Sequence, residues 1–128
     1  MRSMFRSAIS FNQPLNDWIV GYVTTMDCMF ANAQAFNQPL NNWNVSNVTT
    51  MCGMFSNATS FNQSVNEWNI SNVTSIKYMF DRTTSYEQPL CGWMIDNYYI
   101  GTFPFKFNVV LLSWYSQQLS TNVSAFSL

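Results

Sequence analysis

The side chains that could carry catalysis are few in this chain. It contains no histidine, so the most common general base and the most common metal ligand are both missing. The cysteines Cys28, Cys52 and Cys91 are odd in number and widely spaced, which fits neither a zinc site nor a disulfide framework. We interpret them as small apolar residues, with a bridge between Cys28 and Cys52 as the alternative. The sequence therefore predicts no enzyme, no cofactor and no metal.

A pair of carboxylates is the remaining candidate for acid–base chemistry. Asp17 and Glu67 occupy the same position in repeats that are two apart, with Asn42 between them. If each repeat adds one strand at ordinary sheet spacing, the two carboxylates lie about 9–10 Å apart. No other catalytic group accompanies them, so a solvated surface is the favoured interpretation.

These positions are set by a 25-residue repeat that runs from residue 4 to residue 103 without insertion or deletion. An exact period of this length predicts one structural unit stacked on copies of itself, as in a solenoid. The four units read MFRSAISFNQPLNDWIVGYVTTMDC, MFANAQAFNQPLNNWNVSNVTTMCG, MFSNATSFNQSVNEWNISNVTSIKY and MFDRTTSYEQPLCGWMIDNYYIGTF.

Within one unit, the apolar pattern predicts a helix followed by a strand. Between Val48 and Phe61 the apolar residues recur at intervals of three and four, which is typical of one helix face. The alternation at Trp43 and Val45 is typical of a short strand with these side chains inward and Asn44 outward. The sequence therefore predicts an α/β solenoid of 25-residue turns with one short parallel strand and one helix per turn.

The four units, aligned with one another, separate into inward and outward positions. Columns that stay apolar are interpreted as the core, and they begin at Met4, Phe5, Phe11, Leu15, Trp18 and Val20. Two polar columns are also kept, and they comprise Asn12, Asn37 and Asn62 and, beside them, Gln13, Gln38, Gln63 and Gln88. We predict that these amides form ladders that satisfy buried backbone groups, with ligand binding as the alternative.

Columns that vary between units are interpreted as the surface. The strand face of an open solenoid is its usual binding surface. The candidate interaction surface consists of Asp17, Ile19, Asn42, Asn44, Glu67, Asn69 and Met94.

The two ends of the chain suggest that it does not act alone. Residues 1–103 are predicted to form a four-turn repeat solenoid, and residues 104–128 a degenerate fifth turn or C-terminal cap. The apolar composition of residues 104–128 also suits docking on a partner or a membrane surface. Because the chain opens inside the first predicted helix, we expect a fragment of a longer array or a subunit whose end a partner covers.

Composition excludes several classes of function. Only 9% of the residues are charged and the net charge is −1, so the basic patch that nucleic-acid binding requires is missing. The start of the chain lacks the apolar segment of a signal peptide. No apolar run reaches the roughly 20 residues of a transmembrane helix.

The repeat pattern MFxxAxxFNQPLNxWNVSNVTxM resembles the BspA-type repeat of bacterial surface proteins, and the match spans residues 1–100. The resemblance is closest in the second and third units and fades after Gly101. It implies a leucine-rich-repeat-like solenoid, a role in adhesion or protein binding, and a cell-surface or extracellular location. It implies no catalytic residues.

Two functions follow as hypotheses. The first is a non-enzymatic repeat module for protein–protein interaction or structural scaffolding, which binds a protein partner through the strand face or the solenoid ends. The alternative is an accessory subunit of a larger membrane-associated assembly, which docks through the apolar C-terminal turn.

Overall fold

The computed structural model describes residues 1–90 and Trp93. Within this part of the chain the backbone forms no α-helix and no extended β-strand. The β-pairing there consists of isolated parallel bridges from Thr25 to Thr50 and from Thr50 to Ser75. The prediction of an α/β, leucine-rich-repeat-like solenoid with one helix and one strand per turn is therefore wrong. The predicted fifth turn or cap, residues 104–128, lies outside the described residues.

Each 25-residue unit is instead a chain of tight turns, which we call a layer. Layer 1 comprises residues 4–28, layer 2 residues 29–53 and layer 3 residues 54–78, and layer 4 begins at residue 79. Within a layer, backbone N–H groups donate to the carbonyl three residues earlier, which is the bond that closes a β-turn. In layer 2 and the residues leading into it, such bonds join Met29 to Met26, Ala31 to Cys28, Ala33 to Phe30, Phe36 to Ala33, Trp43 to Leu40 and Val48 to Val45.

Left-handed residues explain why these turns do not continue as a helix. Cys28 and Asn32, four residues apart, have φ angles of 54° and 60°, and Gly53 and Asn57 repeat this one layer on at 62° and 57°. A residue in the left-handed region interrupts the run of right-handed dihedrals that a helix needs.

The backbone bonds that a helix would make internally are made between layers. The N–H groups of Cys28, Phe30 and Asn32 donate to the carbonyls of the residues 24 positions later, at 2.8 Å each. The intervening N–H groups close the turns inside the layer. This alternation satisfies the backbone and joins each layer to the next.

The predicted helix and strand were wrong, but the side chains point as expected. The apolar set Met51, Met54, Phe55, Ala58 and Phe61 is fully buried, because consecutive three-residue turns bring the same positions inward as a helix face does. In the segment predicted as a strand, Trp43 and Val45 are buried and Asn44 is exposed.

The core consists of side chains stacked directly on their counterparts in the neighbouring layer. Ring centroids are 5.5 Å apart from Phe5 to Phe30, 5.5 Å from Phe30 to Phe55 and 5.7 Å from Phe55 to Phe80. A parallel column runs through Phe11, Phe36, Phe61 and Tyr86 at 5.9–6.0 Å. Offset stacks of this kind add to the free energy gained by burial alone.

Four of the six first members of the core columns are less buried than predicted, whereas Leu15 and Val20 are buried. Met4 is 52% exposed and Trp18 is 42% exposed, and Phe5 and Phe11 are only partly buried. Layer 1 packs against layer 2 alone in this chain, whereas layers 2 and 3 are covered on both sides. The core is therefore complete in layers 2 and 3.

The predicted amide ladder is confirmed. Asn37 Oδ1 accepts the backbone N–H of Asn62 at 2.9 Å and the Nε2 group of Gln63 at 3.1 Å. The same two bonds run from layer 2 to Asn12 and from layer 4 to Asn62. The asparagine and glutamine columns therefore hold successive layers in register.

The tryptophan column adds a second set of bonds between layers. The buried indole Nε1 group donates to the carbonyl at the leucine position of the preceding layer. These bonds join Trp43 to Leu15 at 2.8 Å, Trp68 to Leu40 at 3.0 Å and Trp93 to Val65 at 2.9 Å. A tryptophan here thus fills the core and satisfies a backbone oxygen at the same time.

The ladder predicts a specific effect of changing Asn37. We expect Asn37→Ala to lower the free energy of unfolding by about 1–2 kcal/mol, because the N–H of Asn62 loses its acceptor and the amide of Gln63 keeps only the backbone carbonyl of residue 37. Asn37→Asp keeps an acceptor oxygen and should cost less than half as much. Urea denaturation of both variants checks this, and equal losses would show that the ladder bonds contribute nothing.

Candidate functional site

The predicted interaction surface lies on the segment that links the leucine and valine columns of each layer. Its described members, Asp17, Ile19, Asn42, Asn44, Glu67 and Asn69, are all exposed. Met94 lies outside the described residues. We call residues 16–22 of layer 1, with the equivalent residues 41–47 and 66–72, the amide face.

The amide face is held in place by its own side chains. Asn44 Oδ1 accepts both the backbone N–H of Ser46 at 3.1 Å and its hydroxyl at 2.6 Å, which fixes a local turn. Between layers, Asn47 Nδ2 donates to the carbonyl of Gly21 at 2.7 Å, and Asn72 repeats this bond to Ser46. The surface is therefore polar and rigid.

Two exposed apolar side chains, which we call the apolar cluster, interrupt this polar surface in layer 1. Ile19 and Tyr22 are each 91% exposed. The counterparts of Ile19 and Tyr22 in layer 2 are Asn44 and Asn47, which are also exposed, so these are outward positions. Alignment of the four repeats with one another identified Ile19 as a surface residue but missed Tyr22. The signal for Tyr22 was the polar residue Asn47 at the same position in layer 2.

A groove on another side of the stack was not predicted. It has a volume of about 430 Å³ and crosses layers 1 to 4 along the left-handed turns. We call it the cysteine groove, and it is lined by Arg6, Cys28, Ala31, Asn32, Cys52, Gly53, Ser56, Lys77, Tyr78 and Asp81. Sequence reasoning missed it because its lining residues are far apart along the chain and share no motif.

Two free thiols are the reactive groups of the cysteine groove. Cys28 and Cys52 are half-buried, and Cys28 N–H donates to the carbonyl of Cys52 at 2.8 Å. The Cys52 sulfur lies 3.0 Å from the hydroxyl of Ser75 and 3.3 Å from that of Thr50.

The charged side chains of Asp27 and Lys77, near the two thiols, contact other residues of the protein. Asp27 pairs with Arg2 at 3.2 Å, and its other oxygen accepts the Thr50 hydroxyl at 2.7 Å and the Cys52 N–H at 2.8 Å. The ammonium of Lys77 lies 5.4 Å from the ring centre of Tyr78. Among the described residues, Cys, Asp and Glu do not gather in groups of three or more that could hold a metal ion.

Among the described residues, Tyr86 is the group whose pKa the fold clearly shifts. Burial raises the pKa of its phenol well above the ordinary value, so the hydroxyl stays neutral. This hydroxyl has no hydrogen-bond partner within the described part of the chain. Its ring stacks on Phe61, in the column that begins at Phe11.

Within the described residues, no helix is long and apolar enough to cross a membrane.

Comparisons with known proteins identify the family. Neither the curated proteins nor the solved structures gave a match. One family model matches residues 1–107, which is most of the chain and includes every described layer, the amide face and the cysteine groove. The chain therefore belongs to the family described as "Mycoplasma protein of unknown function, DUF285".

Proposed function

We propose that this chain is a non-enzymatic repeat module that binds another protein through the amide face, as a surface repeat of the BspA-like kind. The observation that carries the proposal is the apolar cluster of Ile19 and Tyr22 within a polar surface whose asparagine side chains are hydrogen-bonded. The BspA-like assignment rests on the repeat pattern in residues 1–100.

The exposure of the cluster supports binding. Ile19 and Tyr22 keep 91% of their surface in water, which is costly for residues at positions that hold asparagine in layers 2 and 3. Clusters of exposed apolar side chains with a polar rim are typical of protein-binding sites, and aromatic residues often dominate their binding free energy.

The rigidity of the amide face supports the same proposal. Its asparagine side chains are already fixed by bonds such as those from Asn44 to Ser46 and from Asn47 to Gly21. A preorganised surface loses little conformational entropy when a partner binds. Neighbouring amides in layers 2 and 3 supply donors and acceptors for a polar rim.

The low charge of the chain predicts how the partner is recognised. Asp17 and Glu67 are the only charged residues among the described residues of the amide face. Binding through apolar and amide contacts should depend only weakly on ionic strength, in contrast to binding steered by charge.

The test is a double substitution that copies layer 2. The variant with Ile19→Asn and Tyr22→Asn carries asparagine at both positions, as layer 2 does at Asn44 and Asn47. Because layer 2 folds with these residues, the fold should be unchanged. We expect the variant to lose at least tenfold in affinity for partners recovered by the wild-type chain, because each buried anchor contributes about 2 kcal/mol or more. Quantitative capture from cell extracts at two salt concentrations measures this.

The control is Ile9→Asn. Ile9 is also an exposed isoleucine, at 58%, but it lies outside the amide face. It should capture the same proteins as the wild type. Equal capture by the double variant and the wild type would contradict the proposal.

A further inference from the structure

The two thiols of the cysteine groove belong to neighbouring layers. Cys28 closes layer 1 and Cys52 lies near the end of layer 2, and both line the same groove. Because neither takes part in the proposed binding through the amide face, their juxtaposition calls for a separate explanation.

The backbone brings the two residues within reach of each other. Cys28 N–H donates to the carbonyl of Cys52 at 2.8 Å. Cys52 directly precedes Gly53, the counterpart of Cys28 one layer on, so at the ordinary spacing of parallel segments the Cα atoms of Cys28 and Cys52 lie about 6 Å apart. This separation falls inside the range that a disulfide spans.

The Cys28 sulfur packs against the residue that follows Cys52. It lies 3.3 Å from the position that a Cβ atom would take at Gly53, so only glycine at that position lets the sulfur approach this backbone. The Cys52 sulfur contacts the Ser75 hydroxyl at 3.0 Å, so forming the bridge requires the Cys52 side chain to rotate away from Ser75. Both thiols are half-buried, so a small reagent in the groove can reach them.

We propose that Cys28 and Cys52 are a modification site at which an oxidising small-molecule disulfide, such as oxidised glutathione, introduces a bridge between layers 1 and 2. One cysteine thiolate attacks a sulfur of the reagent, forms a mixed disulfide and releases one reduced thiol. The second cysteine thiolate then attacks the cysteine sulfur of that mixed disulfide and releases the other thiol. Each cysteine loses one proton, and the reagent gains the two electrons.

The bridge would close a loop from residue 28 to residue 52 across the groove. Closing a loop of this length reduces the freedom of the unfolded chain, so the oxidised protein should melt at a higher temperature. The register of the layers would then be fixed covalently at this side of the stack.

The test uses the full chain with Cys91→Ser, which removes the third thiol, and compares it with two further variants that also carry Cys28→Ser or Cys52→Ser. Serine suits position 28 because Ser3, in the same column, adopts the same left-handed conformation with φ 57°. Position 52 belongs to a partly exposed column that also contains Asp27 and Lys77, so a polar serine side chain suits it. All three proteins are therefore expected to fold, which thermal melting under reducing conditions verifies.

Each protein is treated in its native state with oxidised glutathione and examined by intact mass and by pepsin digestion at acidic pH. We expect the Cys91→Ser chain to lose the mass of two hydrogen atoms, to yield a peptide pair linking Cys28 to Cys52, and to melt at a higher temperature. The two single-thiol variants should each retain one glutathione. Glutathione retained on both cysteines, bridging only between chains, or unreacted thiols in the Cys91→Ser chain would overturn the proposal.

Discussion

Replacing Phe55 by alanine is expected to lower the free energy of unfolding by about 5 kcal/mol, at the upper end of the range for buried aromatic residues. Phe55 is fully buried, and its ring lies 5.5 Å from that of Phe30, 5.7 Å from Phe80 and 4.0 Å from Phe61. Alanine removes contacts in its own layer and in both neighbouring layers. Because the amide ladder and the backbone bonds hold the neighbouring layers at a fixed spacing, these layers cannot move into the cavity that alanine leaves.

Phe5→Ala provides the matched control. Phe5 belongs to the same column, but it is only partly buried and has a neighbouring layer on one side in this chain. Its loss should cost about 2 kcal/mol, in proportion to the smaller apolar area that it buries. Urea denaturation followed by tryptophan fluorescence measures both variants. Similar losses for Phe5 and Phe55 would contradict a core that depends on stacking from both sides.

The columns of the repeat could be predicted from sequence because burial leaves a direct mark on residue type. The columns that contain Phe30, Trp43 and Val45 hold an apolar residue in every repeat, and all three of these residues are buried. The asparagine and glutamine columns were likewise assigned correctly as ladders, since an amide that recurs at the same turn of every layer can satisfy the backbone groups of the next layer. These assignments depend on which side chains face inward and not on the backbone conformation between them.

The backbone conformation itself could not be predicted from the same pattern. Apolar residues at intervals of three and four fit a helix, but they also fit consecutive β-turns that close over three residues. The distinguishing signal was present in Gly53, Asn32 and Asn57, which are the residue types that most readily adopt a left-handed conformation. Gly53 and Asn57 lie four residues apart, and Asn32 occupies the position of Asn57 one layer earlier, which indicates turns in place of a helix.

The candidate sites differ in how far sequence could reveal them. The amide face follows from columns that vary, so its residues other than Tyr22 were found, and the exposure of Tyr22 completes its apolar cluster. The sequence offered a bridge between Cys28 and Cys52 as the alternative to two separate apolar residues. It did not predict the cysteine groove, because the lining residues come from different layers and no local motif connects them.

Adding one layer is the second change with a large expected effect. A copy of residues 29–53 inserted after Gly53 keeps every column aligned, because Gly53 is followed by methionine at both junctions. The new layer forms the same ladders and ring stacks on both sides. We expect the free energy of unfolding to rise by about 1–4 kcal/mol, as for one more layer of ordinary folded chain.

A copy that lacks its first residue should have the opposite effect. An insertion of residues 30–53 after Gly53 is one residue shorter than the 25-residue period. At that junction, the N–H groups that should bond to the next layer take the positions of those that close turns within a layer, and the reverse. The amide ladder, the tryptophan bonds and the ring stacks cannot all form across that junction. The expected loss is several kcal/mol, since each buried group left without a partner costs about 1–3 kcal/mol.

Urea unfolding of these two insertion variants under reducing conditions is the most direct test of the 25-residue register. The full-period insertion should unfold at a higher urea concentration than the wild type, with an m-value larger by roughly a fifth because more surface is exposed on unfolding. The insertion that is one position short should unfold at a lower urea concentration than the wild type. Equal stability of the two variants, or a stable short insertion, would contradict a fold held together by layers in exact register.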